Sequence, residues 1–201
     1  MKPCIFIHNP KAAGMYIRKA LDVHGVKYTN FEHNNSDTIK SIFTSPLNNE
    51  WDDSFTFAFV RNPWDRLVSW YFFVRQEHKM VPNKGLSFYN FVKAACTGDL
   101  NGDKALEYVP FLDSEAGIAR GDRLDQHQYT KGVKFVGRVE SFDVDLKKVL
   151  DALGVKKYLS SKPINASSHK KYQDYYTPEL IKLVEKRFEK DIDLFGYTYG
   201  T

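Results

Sequence analysis

Apolar residues in this chain fall into two kinds of run. Short unbroken runs occur at 4–8 (CIFIH), 55–60 (FTFAFV) and 133–137 (VKFVG). They lack polar alternation, as strands do when both faces of a parallel sheet are covered. A shorter run at 26–31 (VKYTNF) predicts a further strand. Between these runs the spacing changes to three and four. Ile17, Ala20 and Leu21 form one apolar face, Leu67, Tyr71 and Val74 a second. Leu146, Val149, Leu150 and Leu153 form a third, and Ile181, Val184 and Phe188 a fourth. Each set predicts a helix.

End signals agree with that spacing. Asn62 before Pro63, and Thr177 before Pro178 and Glu179, are helix starts, and Gly154 is a stop. Strands alternating with helices predict an α/β fold around a mainly parallel sheet. The stretch from about 76 to 130 reads differently, with turn signals (VPNKG, TGDLNGD) around one helical piece, SFYNFVKAA. It is expected to be an insertion or lid within a single domain spanning 1–201.

Composition narrows the function classes. A chain of 201 residues with 42% hydrophobic and 27% charged residues has the makings of a folded core, so disorder is excluded. A net charge of +4 is too mild for a nucleic-acid binder, yet it suits a local anion site. Two cysteines, Cys4 and Cys96, make neither a disulfide framework nor a zinc site, and Cys4 reads as a reduced core thiol. No apolar run of signal length precedes Pro10 and Lys11, so neither leader nor membrane anchor is expected, and the cytoplasm is the expected compartment. The chain has no internal repeats.

Two strand-to-helix turns carry candidate chemistry. HNPKAAGMY sets Lys11, Ala12, Ala13 and Gly14 where small residues let backbone N–H groups approach an anion at a helix N-terminus. It is not a Walker A loop, because Lys11 precedes the glycine, and no later strand ends in a clear magnesium aspartate. A metal-dependent nucleotide kinase is therefore poorly supported, and no metal site is expected. The second turn holds Arg61 ahead of a helix carrying Arg66 and Ser69, on a face away from Leu67, Tyr71 and Val74. A guanidinium grips a phosphate bidentately and a serine adds a donor. Two such turns imply a ligand with two separated anionic groups.

PKAAG, FAFVRNPWDRLVSWY, FVGRVESFDVDLKKVLDALGV and INASSHKKYQDYYTPELIKLVEKRFEKDIDLFGYTY together resemble the sulfotransferases that use 3′-phosphoadenosine 5′-phosphosulfate (PAPS). The nearest likeness is to carbohydrate sulfotransferases of the heparan 2-O and chondroitin type. The resemblance implies a P-loop-like, three-layer fold, with PAPS as co-substrate and PAP as product. It implies a hydroxyl-bearing acceptor, most plausibly a carbohydrate, with no nucleic-acid or membrane partner. Lys11, Ala12, Ala13 and Gly14 match the loop around the 5′-phosphosulfate, and Arg61 and Ser69 the pair holding the 3′-phosphate. Arg66 belongs to the same motif, as ligand contact or as structural support. Asn165, Ser167 and Ser168 match a late loop near the nucleotide.

The resemblance also implies that Lys11 meets charge on the leaving oxygen. His33, in NFEHNNS, is the expected general base, with Glu32 the alternative base or its orienting partner. His8 reads as packed at a strand end or touching the first turn, and His127 as a group facing the acceptor or a structural one. His24, His78 and His169 read as surface residues, and Trp51, Trp64 and Trp70 as core or as rings on which a sugar or adenine stacks. One departure stands out. The family usually places two hydroxyl residues after the loop glycine, and this chain has Met15 and Tyr16. Methionine donates no hydrogen bond. The 5′ cradle is thereby left to backbone amides and Lys11, and a non-catalytic PAPS- or PAP-binding protein is the competing expectation.

Overall fold

The unbroken apolar runs become strands of one sheet in the computed structural model, which describes residues 3–32, 34–45, 48–77, 86–98, 124–156 and 170–200, without the side chains of 30–32, 45, 48–49 and 76–77. Most of the expected insertion, residues 78–85 and 99–123, lies outside the described residues. Strand β1 (Cys4–His8) is buried throughout and leads to helix α1 (Gly14–Val23). Strand β2 (Thr29–Glu32) follows, then helix α2 (Ser36–Phe43). A two-residue antiparallel pair, β3 (Thr44–Ser45) and β4 (Asn48–Asn49), precedes helix α3 (Glu50–Asp53). Strand β5 is Phe55–Val60, and helix α4 (Pro63–Glu77) starts two residues after it. Helix α5 (Phe88–Thr97), a 3₁₀ turn (Gln126–Tyr129), strand β6 (Phe135–Arg138) and helix α6 (Phe142–Ala152) come next. A second 3₁₀ turn (Tyr172–Tyr175) and helices α7 (Pro178–Arg187) and α8 (Glu189–Phe195) close the described chain.

The strand expected at 26–31 begins three residues late, for a physical reason. Gly25 is left-handed (φ 64°) just past α1, its N–H donates to Asp22 O at 3.0 Å, and the N–H of Val26 donates to Leu21 O at 2.9 Å. That is a Schellman stop, whose last residue packs back on its helix. Val26 shares a buried cluster with Leu21, so it ends a helix and does not open a strand.

The chain divides into two compact units, Met1–Arg61 with Gln126–Ile164, and Asn62–Asp125 with Asn165–Thr201. The first contains the sheet. Its strand order is β2-β1-β5-β6 and every pairing is parallel, with Ile7 opposite Phe31 and Ala58, and Val60 opposite Arg138. Alternate residues on a strand face opposite ways, and both faces are covered. Phe6, Phe57 and Phe59 pack with Ile17 and Leu21 of α1 and with Leu146, Val149 and Leu150 of α6. Ile5, Ile7 and Ala58 pack with Ile39 of α2, Trp51 of α3 and Tyr129. The result is a three-layer α/β fold.

The second unit is helical. Helix α4 packs against α5 and α7, and α7 against α8. Asn62 caps α4, its Oδ1 accepting from Trp64 N at 3.1 Å, and Thr177 caps α7 by accepting from Leu180 N. The narrow stripe expected on α4 is wider in the structure. Trp64, Arg66, Val68, Ser69 and Trp70 are buried along with Leu67, Tyr71 and Val74. Among the described residues, no helix is long and apolar enough to cross a membrane.

Candidate active site

The carboxyl edge of a parallel sheet is where strand-to-helix turns gather, and ligands of open α/β folds collect there. In the first unit, the turn after β1 is the most strained backbone described. Lys11 and Ala13 both adopt φ 61°, the only described non-glycine residues with positive φ. Each such residue costs about 1–2 kcal/mol, and strain of this kind clusters at ligand-binding turns. Left-handed residues alternating with a right-handed backbone turn successive N–H groups inward, forming a concavity for an anion. Ala13 is also the N-cap of α1, and neither a side-chain cap nor an acidic residue occupies that helix's first turn. No acid within that first turn offsets its positive end.

Ala12 has a different part. Its methyl is 1% exposed and lies in the core beneath α1, and its N–H donates to Asn9 O at 3.3 Å. Any part it takes in binding runs through backbone shape. Gly14 is required sterically. A Cβ there would come within 1.8 Å of His8 Nε2. The His8 imidazole, stacked on Phe6 at 5.6 Å, lies over the first residue of α1. It is both packed at the strand end and in touch with the turn.

Met15 is 66% exposed, and the Tyr16 hydroxyl is buried without a hydrogen-bond partner among the described residues, its ring edge-on to Phe142 at 6.2 Å. Burial pushes that phenol's pKa upward. Neither side chain offers the turn a hydroxyl.

Arg61 follows β5, the neighbouring strand. Its guanidinium Nη1 lies 3.5 Å from Lys11 O, the long edge of a hydrogen bond, so the two basic turns meet at one sheet edge. The backbone of Arg61 is gripped by an amide the sequence reading passed over. Gln126 Oε1 accepts from Arg61 N at 2.9 Å, and Gln126 Nε2 donates to Arg61 O at 2.7 Å. Asn9 Nδ2 donates to that same Oε1 at 3.1 Å and to Phe59 O at 2.8 Å. No local sequence signal marks a pair 117 positions apart. The only hint was a polar, chargeless Gln-His-Gln beside buried Tyr129.

In the second unit, Arg66 is 3% exposed and donates from Nη1 to Leu124 O at 2.6 Å, a buried structural contact. The face it shares with Ser69, away from Leu67, Tyr71 and Val74, is buried as well. Ser69 lies on α4 and is also buried. Glu32 ends β2 opposite His8 in backbone register, but its side chain is outside the description. His33, Asn165, Ser167 and Ser168 lie outside the described residues, as do His78 and His169. His127 is buried, with Nε2 3.2 Å from Gln128 Nε2, and His24 Nδ1 lies 2.7 Å from Ala20 O. Among the described residues, no group of His, Cys, Asp or Glu side chains is arranged to hold a metal ion.

The sequence pattern of the sulfotransferase family matches residues 5–198, from inside β1 to beyond α8. The chain belongs to the sulfotransferase family. An uncharacterized protein of Archaeoglobus fulgidus is 28% identical over 123 residues, covering 61% of this chain and 86% of that protein. Among solved structures, mouse sulfotransferase SULT7A1 complexed with PAP aligns with a TM-score of 0.52 and 12% identity, over 98% of this chain and 89% of that one. At that identity the likeness speaks for the fold. Membership of the family supports sulfuryl transfer as the reaction and a hydroxyl-bearing group as its acceptor.

Proposed function

We propose that this sulfotransferase takes its sulfuryl group from PAPS and delivers it to a hydroxyl of a carbohydrate, acting as one sulfotransferase-like domain over 1–201. The observation that carries the donor assignment is the contact between the two basic turns. The Arg61 guanidinium reaches the carbonyl of Lys11, at the end of a loop already bent to present amides. PAPS carries phosphate at both the 3′ and the 5′ position of its ribose, so it needs two such cradles. Lys11 and the amides from Ala13 onward take the 5′-phosphosulfate, and Arg61 takes the 3′-phosphate. The resemblance carries Ser69 to that phosphate as well, and Asn165, Ser167 and Ser168 to the nucleotide. The carbohydrate acceptor rests on the motif resemblance alone. The two free cysteines, Cys4 and Cys96, suit a reducing cytoplasm.

Chemically, an acceptor oxygen attacks sulfur in line. A new S–O bond forms as the S–O bond to the 5′-phosphate breaks, and negative charge grows on the departing oxygen. Lys11 meets that charge. The acceptor's proton passes to a base, for which His33 and Glu32 are the candidates. PAP should raise the thermal unfolding midpoint of the intact protein, and Arg61→Ala should abolish the rise. A wild-type protein indifferent to PAP would end the donor assignment.

Met15 and Tyr16 favour a second reading, a PAP-binding protein without turnover, because neither supplies a hydroxyl to the loop. That reading expects the thermal shift but no labelled sulfate on any sugar, phenol or peptide acceptor. One turnover-competent acceptor would eliminate it.

A further inference from the structure

Gln126 and Asn9 are among the most completely buried polar side chains described, at 0% and 1% exposure. Burying an amide is costly unless its donors and acceptors are filled, and here they are filled by one another and by backbone. Gln126 pairs with both the N–H and the C=O of Arg61, as a neighbouring strand would. It does so one residue past Val60, where β5 ends. Asn9 ties the same amide to Phe59 O, and the Asn9 carbonyl receives the N–H of Ala12. The chain of contacts therefore runs from the Arg61 backbone to the Lys11 turn entirely through buried polar groups.

We propose that Gln126, held by Asn9, is a positioning residue that fixes the Arg61 backbone from which its guanidinium serves the donor's 3′-phosphate. Gln126 touches no ligand in this assignment and acts only through Arg61. The inference rests on the reading of Arg61 given above, and it predicts a specific kind of damage. Loosening the clip releases the arginine and costs the binding energy of the 3′-phosphate while leaving the 5′ cradle in place.

The test compares PAP with AMP, which lacks the 3′-phosphate, on the full chain by calorimetric titration. Gln126→Met removes every hydrogen bond at near-constant volume. It should weaken PAP by about tenfold or more while changing AMP by less than about twofold, since displacement of a positioning group by an ångström is felt only where that group binds. Gln126→Glu, which keeps an acceptor for Arg61 N but opposes an oxygen to Arg61 O, should lower the PAP-to-AMP preference in the same direction. It serves as the readout if the methionine variant does not fold. Equal weakening of both nucleotides, or of neither, overturns the positioning role while leaving the donor assignment intact. A wild-type protein that binds PAP no better than AMP overturns the assignment of Arg61 and the inference with it.

Discussion

Two strand-to-helix turns at the same sheet edge are built to opposite designs. The turn from β6 into α6 is tied together by one carboxylate. Asp145 Oδ2 accepts from the N–H of Arg138 at 2.9 Å and from Ser141 Oγ at 2.6 Å, and its Oδ1 accepts from Lys148 Nζ at 2.8 Å. Asp143 adds a second carboxylate to that helix's first turn, where it meets the positive end of the dipole. The turn from β1 into α1 has neither acid nor cap, and it bends two non-glycine residues into the left-handed region. Other helix starts carry acids too, Asp65 on α4 and Glu179 on α7 among them, whereas the start of α1 has neither acid nor side-chain cap and bends its turn at an energetic cost. That contrast is the physical content of the candidate site: the closed turn supplies its own counter-charge, and the open one supplies no acid in its first turn.

Filling the open turn from within should be the most damaging way to break the contrast. Gly14→Ala would drive a methyl into the His8 ring, and overpacking of this kind costs about 1–3 kcal/mol, occasionally more. The upper end is expected here, because the obstruction is a buried ring held by Phe6 and not a flexible chain end. Thermal unfolding should show the loss, and Gly14→Ala combined with His8→Ala should be more stable than Gly14→Ala alone. If the double variant is no better, the imidazole does not occupy that space in solution.

The closed turn gives the next largest effect, and its pH dependence has a definite sign. Burial alone would raise the Asp145 pKa, but hydrogen bonds from Lys148, Ser141 and the Arg138 N–H outweigh it and hold the carboxyl below its ordinary value. A carboxyl depressed in the folded state stabilises the protein at pH values above the unfolded pKa of about 3.9. That contribution is lost as pH falls through the lower, folded value. Asp145→Asn should therefore cost about 1–2 kcal/mol at neutral pH, with the gap to wild type closing below about pH 4. Denaturant titrations at pH 7 and pH 3 would measure both. PAP binding should be unaffected, since this turn has already satisfied itself; a weakened PAP complex would mean the two turns are not separate in function.

How much of this was legible in the sequence depends on the range of the interaction. Unbroken apolar runs gave β1 and β5 to the residue, because full burial on two faces leaves no alternative pattern. The strand after α1 was misplaced at 26–31 although its correction was written in the chain. Gly25-Val26 and Gly154-Val155 end their helices by the same hydrogen-bond pair, to Asp22 and Leu21 in one case and to Asp151 and Leu150 in the other. Only the second follows a long apolar face that makes the stop plain. Lys11, Gly14 and Arg61 were visible because they share short motifs. Gln126 and Asn9 were not, since a buried amide's worth comes from partners distant in sequence. Arg66 sits off the apolar stripe of α4 and is buried all the same, because α4 is enclosed on more sides than that stripe implies.

The smallest effect separates two adjacent alanines. Ala13 is left-handed, so Ala13→Gly removes about 1–2 kcal/mol of steric strain while adding about 0.5–1 kcal/mol of unfolded-chain entropy to be lost. The net should be a gain of up to about 1.5 kcal/mol, a rise in midpoint of up to about 3–6 °C. Ala12 is not left-handed, and its methyl is in the core. Ala12→Gly should pay the same entropy and lose a buried methyl worth about 0.8 kcal/mol, so it should destabilise. Opposite signs at neighbouring, chemically identical residues arise only if the turn holds the alternating geometry that presents its amides to an anion. If both substitutions destabilise alike, Ala13 has relaxed out of the left-handed region in solution, and the open turn loses the concavity that distinguishes it from the closed one.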